Sequence, residues 1–241
     1  MLVKSKGIVL KTTKFGETSL VAKVYTREHG LLTFMVKGVR SKRSKGKAAL
    51  MQPMMILDLV IYLRSNQNMK SLRDYQFSHV YTQVPYDILR STIGMFMLEV
   101  VTKCVKEEET NEEMFDFLFH SFVSLDQVES ISPNFHLLFL SNLLDYIGFQ
   151  PQGKCTEETP YFDLYEGNFV SDISVAGRYL EKNEAANFAL MLLSDVSDAD
   201  SLELSGDERK TLLDRLLLYY EFHVEGFKTL KSLDILRTVL N

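Results

Sequence analysis

The spacing of apolar residues changes once along this chain, near Pro85, from a repeat of two to a repeat of about three and a half, and few folds accommodate both halves. Before that point, residues 19–26 place Leu20, Ala22 and Val24 on one face. Residues 31–37 do the same with Leu32, Phe34 and Val36, and Glu28-His29-Gly30 supplies the turn between the two runs. A longer run sets Met55, Leu57, Leu59, Ile61 and Leu63 against Ile56, Asp58, Val60 and Tyr62, the pattern of a half-buried strand. With residues 8–13 in front, a turn at 66–68 and residues 72–81 behind, five strands are predicted in about eighty residues. Five short strands suggest an OB-type β-barrel, because closure removes the edges that a flat sheet exposes. Periodicity alone leaves a flat antiparallel sheet and an SH3-like barrel open.

Beyond Pro85 the signals are helical. Asp87 is placed to cap a helix carrying Ile93, Phe96, Met97, Val100, Val101 and Cys104. Thr110 and Glu113 have the spacing of a capping box ahead of Met114, Phe115, Leu118 and Phe122. Ser132-Pro133 reads as a cap followed by proline at the first helical position, and Gly148 with Pro151 reads as the end of that helix. Residues 149–175, rich in Gly, Pro and paired acids, interrupt the pattern as a loop-rich insertion with a short hairpin around 161–170. Helices are expected to resume near Val175, with a second capping box at Ser205 and Glu208 and a last short helix from Ser232 to Leu240. The expected architecture is α+β: an N-terminal five-stranded OB-type β-barrel over residues 1–82, then an all-helical C-terminal domain over 83–241 interrupted by the insertion.

Charge divides along the same line. Residues 1–80 hold fifteen Lys or Arg and four acids, which leaves twelve bases and 28 acids of the totals of 27 and 32 for the remainder. A modest net charge of −5 therefore joins a segment of +11 to one of −16. The basic, acid-free stretch Arg40-Ser41-Lys42-Arg43-Ser44-Lys45-Gly46-Lys47 lies between two strand-like runs and reads as a loop built to meet phosphates. Arg27, Lys37, Arg40, Lys42, Arg43, Lys45 and Lys47 are the candidate nucleic-acid contacts, with Tyr25, Tyr62 and Tyr75 as candidate base-stacking rings. In the tail, Lys228, Lys231 and Arg237 form a small basic patch that either holds an acidic peptide or complements the end of a helix.

Other chemistry is absent from the sequence. There is no GxSxG elbow, Walker-type loop or HExxH pair, and the five histidines are scattered without a second ligand at metal spacing. No enzyme, cofactor or metal is expected. Two cysteines, Cys104 and Cys155, are too few for a disulfide framework. Charges interrupt every apolar run before it reaches membrane-spanning length, so the chain is expected to be cytosolic, with no membrane partner.

Several segments in order resemble the RecO family of bacterial recombination mediators. These are Ser19-Leu20-Val21, Tyr25-Thr26-Arg27-Glu28-His29-Gly30-Leu31-Leu32, Lys37-Gly38-Val39-Arg40 and Leu50-Met51-Gln52-Pro53 in the first domain. Leu143-Leu144-Asp145-Tyr146-Ile147-Gly148-Phe149-Gln150-Pro151 and Lys231-Ser232-Leu233 follow in the second. The resemblance implies a non-enzymatic DNA-repair protein that binds single- and double-stranded DNA and anneals complementary strands. It also implies work with RecR and the single-strand-binding protein (SSB) to load RecA. Lys228, Lys231 and Arg237 are the candidates for meeting the acidic tail that SSB offers. Many relatives carry two Cys-x-x-Cys pairs that bind zinc in the insertion. This chain has Cys155 with Glu158 three residues on, then Ser171 and Ser174, so no zinc is expected and packing of Tyr161, Phe162 and Phe169 is expected to hold the insertion instead. Without the resemblance, an RNA-binding OB-fold protein of translation or RNA handling fits the same barrel.

Overall fold

The computed structural model describes residues 1–40, 47–63, 68–105 and 110–240. They form an α+β protein in two compact units, Met1–Gln127 and Val128–Asn241.

The first unit is built on five antiparallel strands: β1 (Leu2–Phe15), β2 (Ser19–Thr26), β3 (Gly30–Val36), β4 (Ile56–Tyr62) and β5 (Ser71–His79), in the spatial order β3-β2-β1-β4-β5. β1 is long because it serves two partners: residues 2–8 pair with β4 and residues 7–15 with β2. The strands overlap at Gly7, where a Cβ would lie 2.6 Å from Val24 Cγ1 and 2.7 Å from Leu59 Cδ1, so only glycine lets the layers meet there. Val9, Ala22, Val24, Leu32, Phe34, Leu57, Leu59 and Ile61 fill the interior, as the alternation of two requires. The expected closed barrel is corrected in one respect. The ladder stays open: β3 and β5 are not joined by a ladder, and just ahead of β5 Lys70 makes an isolated bridge to β3, its N–H donating to Thr33 O at 2.8 Å and its carbonyl accepting Met35 N–H at 3.2 Å.

A single turn, α1 (Lys47–Leu50), precedes β4. α2 (Ile88–Cys104) and α3 (Glu112–Gln127) belong to the same compact unit as the sheet. Asp87 caps α2 as expected, its carboxylate accepting the N–H groups of Leu89 and Arg90 at 2.9 and 3.0 Å. The box at Thr110 and Glu113 gives way to Asn111, whose side-chain oxygen accepts Met114 N–H at 2.8 Å. Asparagine is as good an N-cap as threonine, and the helix starts one residue later.

The fully buried Asp126 near the end of α3 fastens this unit together. Its carboxylate accepts the N–H groups of Thr82, Gln83 and Val84 at 2.8 to 3.0 Å, and His79 Nε2 lies 3.1 Å away. Burial alone would raise its pKa, but these donors together hold it down to about 2.

The second unit contains α4 (Phe135–Tyr146), α5 (Lys182–Leu192), α6 (Gly206–His223) and α7 (Ser232–Leu240). It also holds a small sheet of β6 (Tyr161–Asp163), β7 (Asn168–Val170) and β8 (Tyr179–Leu180) in the order β7-β6-β8. Gly148 ends α4 at φ +81°, and Phe149 N–H returns to Leu144 O at 3.2 Å. Ser132 caps the turn ahead of α4 rather than the helix itself: its hydroxyl accepts Asn134 N–H at 3.3 Å and donates to Ala199 O at 2.9 Å, and the helix begins after Asn134. Ser205 and Glu208 form the expected box at the start of α6. Helix does not resume near Val175, which is exposed in a loop; α5 opens at Lys182 behind a box of Glu181 and Glu184.

Candidate nucleic-acid interface

Cationic side chains from three elements meet at one end of the sheet. Lys37 follows β3, Lys47 opens α1 and Arg73 stands on β5, and together with Val39, Leu72 and Tyr75 they line a cleft of about 310 Å³. Lys47 Nζ lies 5.7 Å from the centroid of the Tyr75 ring, a cation held against an aromatic face. Among the described residues none of these three cations is paired with a carboxylate. Burial, with the Asp74 carboxylate close by, pushes the Tyr75 hydroxyl above its ordinary pKa, so the ring stays neutral. Unpaired cations around a neutral ring suit a phosphate and the base attached to it.

The other candidates separate by what they touch. Arg40 is exposed beside this end of the sheet, with Nη1 donating to Gly16 O at 3.3 Å. Lys42, Arg43 and Lys45 lie outside the described residues. Arg27 is committed elsewhere: Nε and Nη2 each donate to the Asp116 carboxylate at 2.8 Å, and Nη1 lies 2.6 Å from Glu112. The hydrogen bond lowers the Asp116 pKa and raises that of Arg27. Three carboxylates already neutralise that guanidinium, which therefore ties the β2–β3 hairpin to α3.

Tyr25 is corrected from surface ring to core residue. It is 2% exposed, its ring lies 6.1 Å from that of Phe115, and its hydroxyl donates to Asn111 O, so no base can reach it. Tyr62 is 42% exposed at the end of β4 and does not line the cleft. Arg73 escaped the sequence reading because a bulge in β5 against Val60 and Ile61 breaks the alternation at its position.

In the second unit, Lys228 and Lys231 are exposed, whereas Arg237 pairs with Asp214. A groove of about 520 Å³ between α6 and α7 is lined by Arg215 and Arg237 but also by Asp214 and Glu221, and Lys228 and Lys231 are not part of it.

Two family models cover almost the whole chain: recombination protein O N terminal over residues 1–81 and recombination protein O C terminal over residues 85–234. The chain belongs to the recombination protein O family. The DNA repair protein RecO of Christiangramia forsetii is 35% identical over 99% of both chains. Those of Flavobacterium johnsoniae and Phocaeicola vulgatus are 33% and 32% identical over the full length of each. Membership of RecO places the chain among bacterial proteins of DNA repair and recombination. Among the described residues no helix is long and apolar enough to cross a membrane.

The zinc of many RecO insertions does not fit the residues present. Of the four positions only Cys155 carries a thiol. Ser171 Oγ donates to Asp172, and Ser174 Oγ lies 2.7 Å from the Tyr179 hydroxyl. Among the described residues no group of three His, Cys, Asp or Glu is arranged to hold a metal. Aromatic rings pack in the insertion: Phe162, fully buried, has the rings of Phe169 and Phe188 each at 4.9 Å and that of Tyr219 at 5.7 Å, while Tyr161, expected in this set, is half-buried with Lys182 Nζ 5.7 Å from its ring. Beside it Asp163 takes a bidentate pair from Arg178 and the N–H groups of Tyr165 and Glu166.

Proposed function

We propose that this protein is a non-enzymatic recombination mediator that binds single- and double-stranded DNA, anneals complementary strands and, with RecR, helps load RecA onto SSB-coated DNA. The cleft of Lys37, Lys47 and Arg73 around Tyr75 carries the DNA-binding part of this reading. Arg40 is kept beside it, Lys42, Arg43 and Lys45 are kept as candidates on their charge in the sequence, and Tyr62 is kept as a peripheral ring. The family supplies the mediator part. The exposed Lys228 and Lys231 are the proposed contact for the acidic SSB tail; Arg237, neutralised by Asp214, is left out.

The test is a salt titration of binding to single-stranded DNA, followed by annealing of strands precoated with SSB. Replacing Lys37, Lys47 and Arg73 by Ala should flatten the slope of log K against log salt by about 2, at roughly 0.7 for each phosphate no longer neutralised, and slow annealing of bare and coated strands alike. Reversing the charges of Lys228 and Lys231 should slow annealing of coated strands only. An unchanged slope in the triple variant refutes the cleft as the DNA site.

A further inference from the structure

Outside the cleft, the exposed face of β1–β3 carries an arrangement that a free sheet disfavours. Lys11 of β1 stands directly opposite Lys23 of β2, with Lys23 in turn opposite Thr33 of β3. Like charges at paired positions of an antiparallel ladder repel. Both lysines are exposed, and among the described residues neither meets a carboxylate.

A bulge creates this pairing. Val9 faces Val24 in the interior, and regular alternation would turn Lys11 inward as well. The register shifts between Val9 and Lys11, so Leu10 is taken up in the bulge, 5% exposed, and Lys11 is delivered to the outer face. Further along the same face stand Thr13 and the half-exposed Phe15 of β1, then Val21 of β2 opposite Met35 of β3. Lys37 lies two residues beyond Met35 along the direction of β3. Four residues separate Thr33 from Lys37, about 13 Å at the rise of a strand. The lysine pair and the cleft therefore lie along one strand direction, a short run of nucleotides apart.

We propose that Lys11 and Lys23 together hold a phosphate of a nucleic-acid strand whose other end occupies the cleft, so that the strand crosses the outer face of β1–β3. A phosphate between the two ammonium groups converts their repulsion into attraction. The apolar Val21, Met35 and Phe15 give the bases a surface to lie on, a contact that every base can make. This inference rests on the DNA-binding reading and adds a second subsite to it.

The experiment measures affinity and salt dependence for a thymidine dinucleotide, too short to reach from the cleft to the lysine pair, and for a thymidine oligomer of about 16 nucleotides, the upper end of the range for one such fold. It compares wild type with K11Q/K23Q and with K23E, and records the thermal midpoint of each. In K11Q/K23Q, affinity for the longer oligomer should fall roughly tenfold and its salt slope flatten by about 0.7, the loss of one neutralised phosphate, with a much smaller loss for the shorter one. The midpoint of K23E should rise, because Lys11 then faces an opposite charge, while its binding of the longer oligomer weakens. Equal affinity of wild type and K11Q/K23Q for the longer oligomer overturns this subsite and leaves the cleft standing. Failure of wild type to bind either oligomer overturns the DNA-binding reading itself.

Discussion

Asp126 ties strand, connecting chain and helix of the first unit together, since three backbone N–H groups and His79 converge on one buried carboxylate. Replacing it with Asn turns an acceptor into a donor facing those N–H groups and should cost about 2–4 kcal/mol, read from a denaturant midpoint. Its pKa is lowered in the folded state, so the stability it contributes is present above the unfolded value near 4 and is lost as pH falls towards about 2. Acid unfolding between those limits should therefore be shallower in D126N than in wild type. Arg27 makes the complementary case: R27A should lower the denaturant midpoint modestly and leave the salt dependence of DNA binding unchanged, because its charge is already paired with Asp116 and Glu112. Of the candidates named from charge and ring chemistry, Lys37, Lys47 and Tyr75 stand around one cleft, and their contact with nucleic acid belongs to the proposal above. Residue chemistry was not legible for Arg27 or Tyr25, whose partners stand some ninety residues away on α3 and its approach.

Elements were read most securely where a local hydrogen bond defines them. The Asp87 cap, the Ser205–Glu208 box and the left-handed Gly148 are all decided within four or five residues, and all stand where expected. The extra length of β1, the bulges at Leu10 and Arg73 and the two-residue β8 are decided by a partner strand, so periodicity passes over them. The small sheet illustrates the limit: its hairpin is visible in residues 161–170, but Tyr179 and Leu180 join it only by pairing with Asp163 and Phe162. Gly7 is where β1 passes from one partner strand to the other. G7A should destabilise by about 1–3 kcal/mol, measured by equilibrium unfolding, because Val24 and Leu59 both stand where the new methyl would go.

For the molecule as a whole, the switch of period and the switch of charge both fall near residue 85, while the compact units divide after Gln127. Counted by compact unit, residues 1–127 carry +5 and residues 128–241 carry −10, so the electrical asymmetry persists although the acids of α2 and α3 dilute it. The sequence boundary marks where strands give way to helices; the packing boundary marks which helices the sheet needs. A fragment of residues 1–82 would lack Asp126, Phe115, Glu112 and Asp116, leaving Tyr25 without its ring partner and Arg27 with Glu28 alone. It should show no cooperative unfolding transition by circular dichroism, whereas a fragment of residues 1–127 retains all of those partners and should melt as a unit. The same fastening couples two distant places in the gene. A lineage that gives up the guanidinium at position 27 leaves Asp116 and Glu112 repelling each other, so substitutions at 27 and 116 are expected to be inherited as a pair.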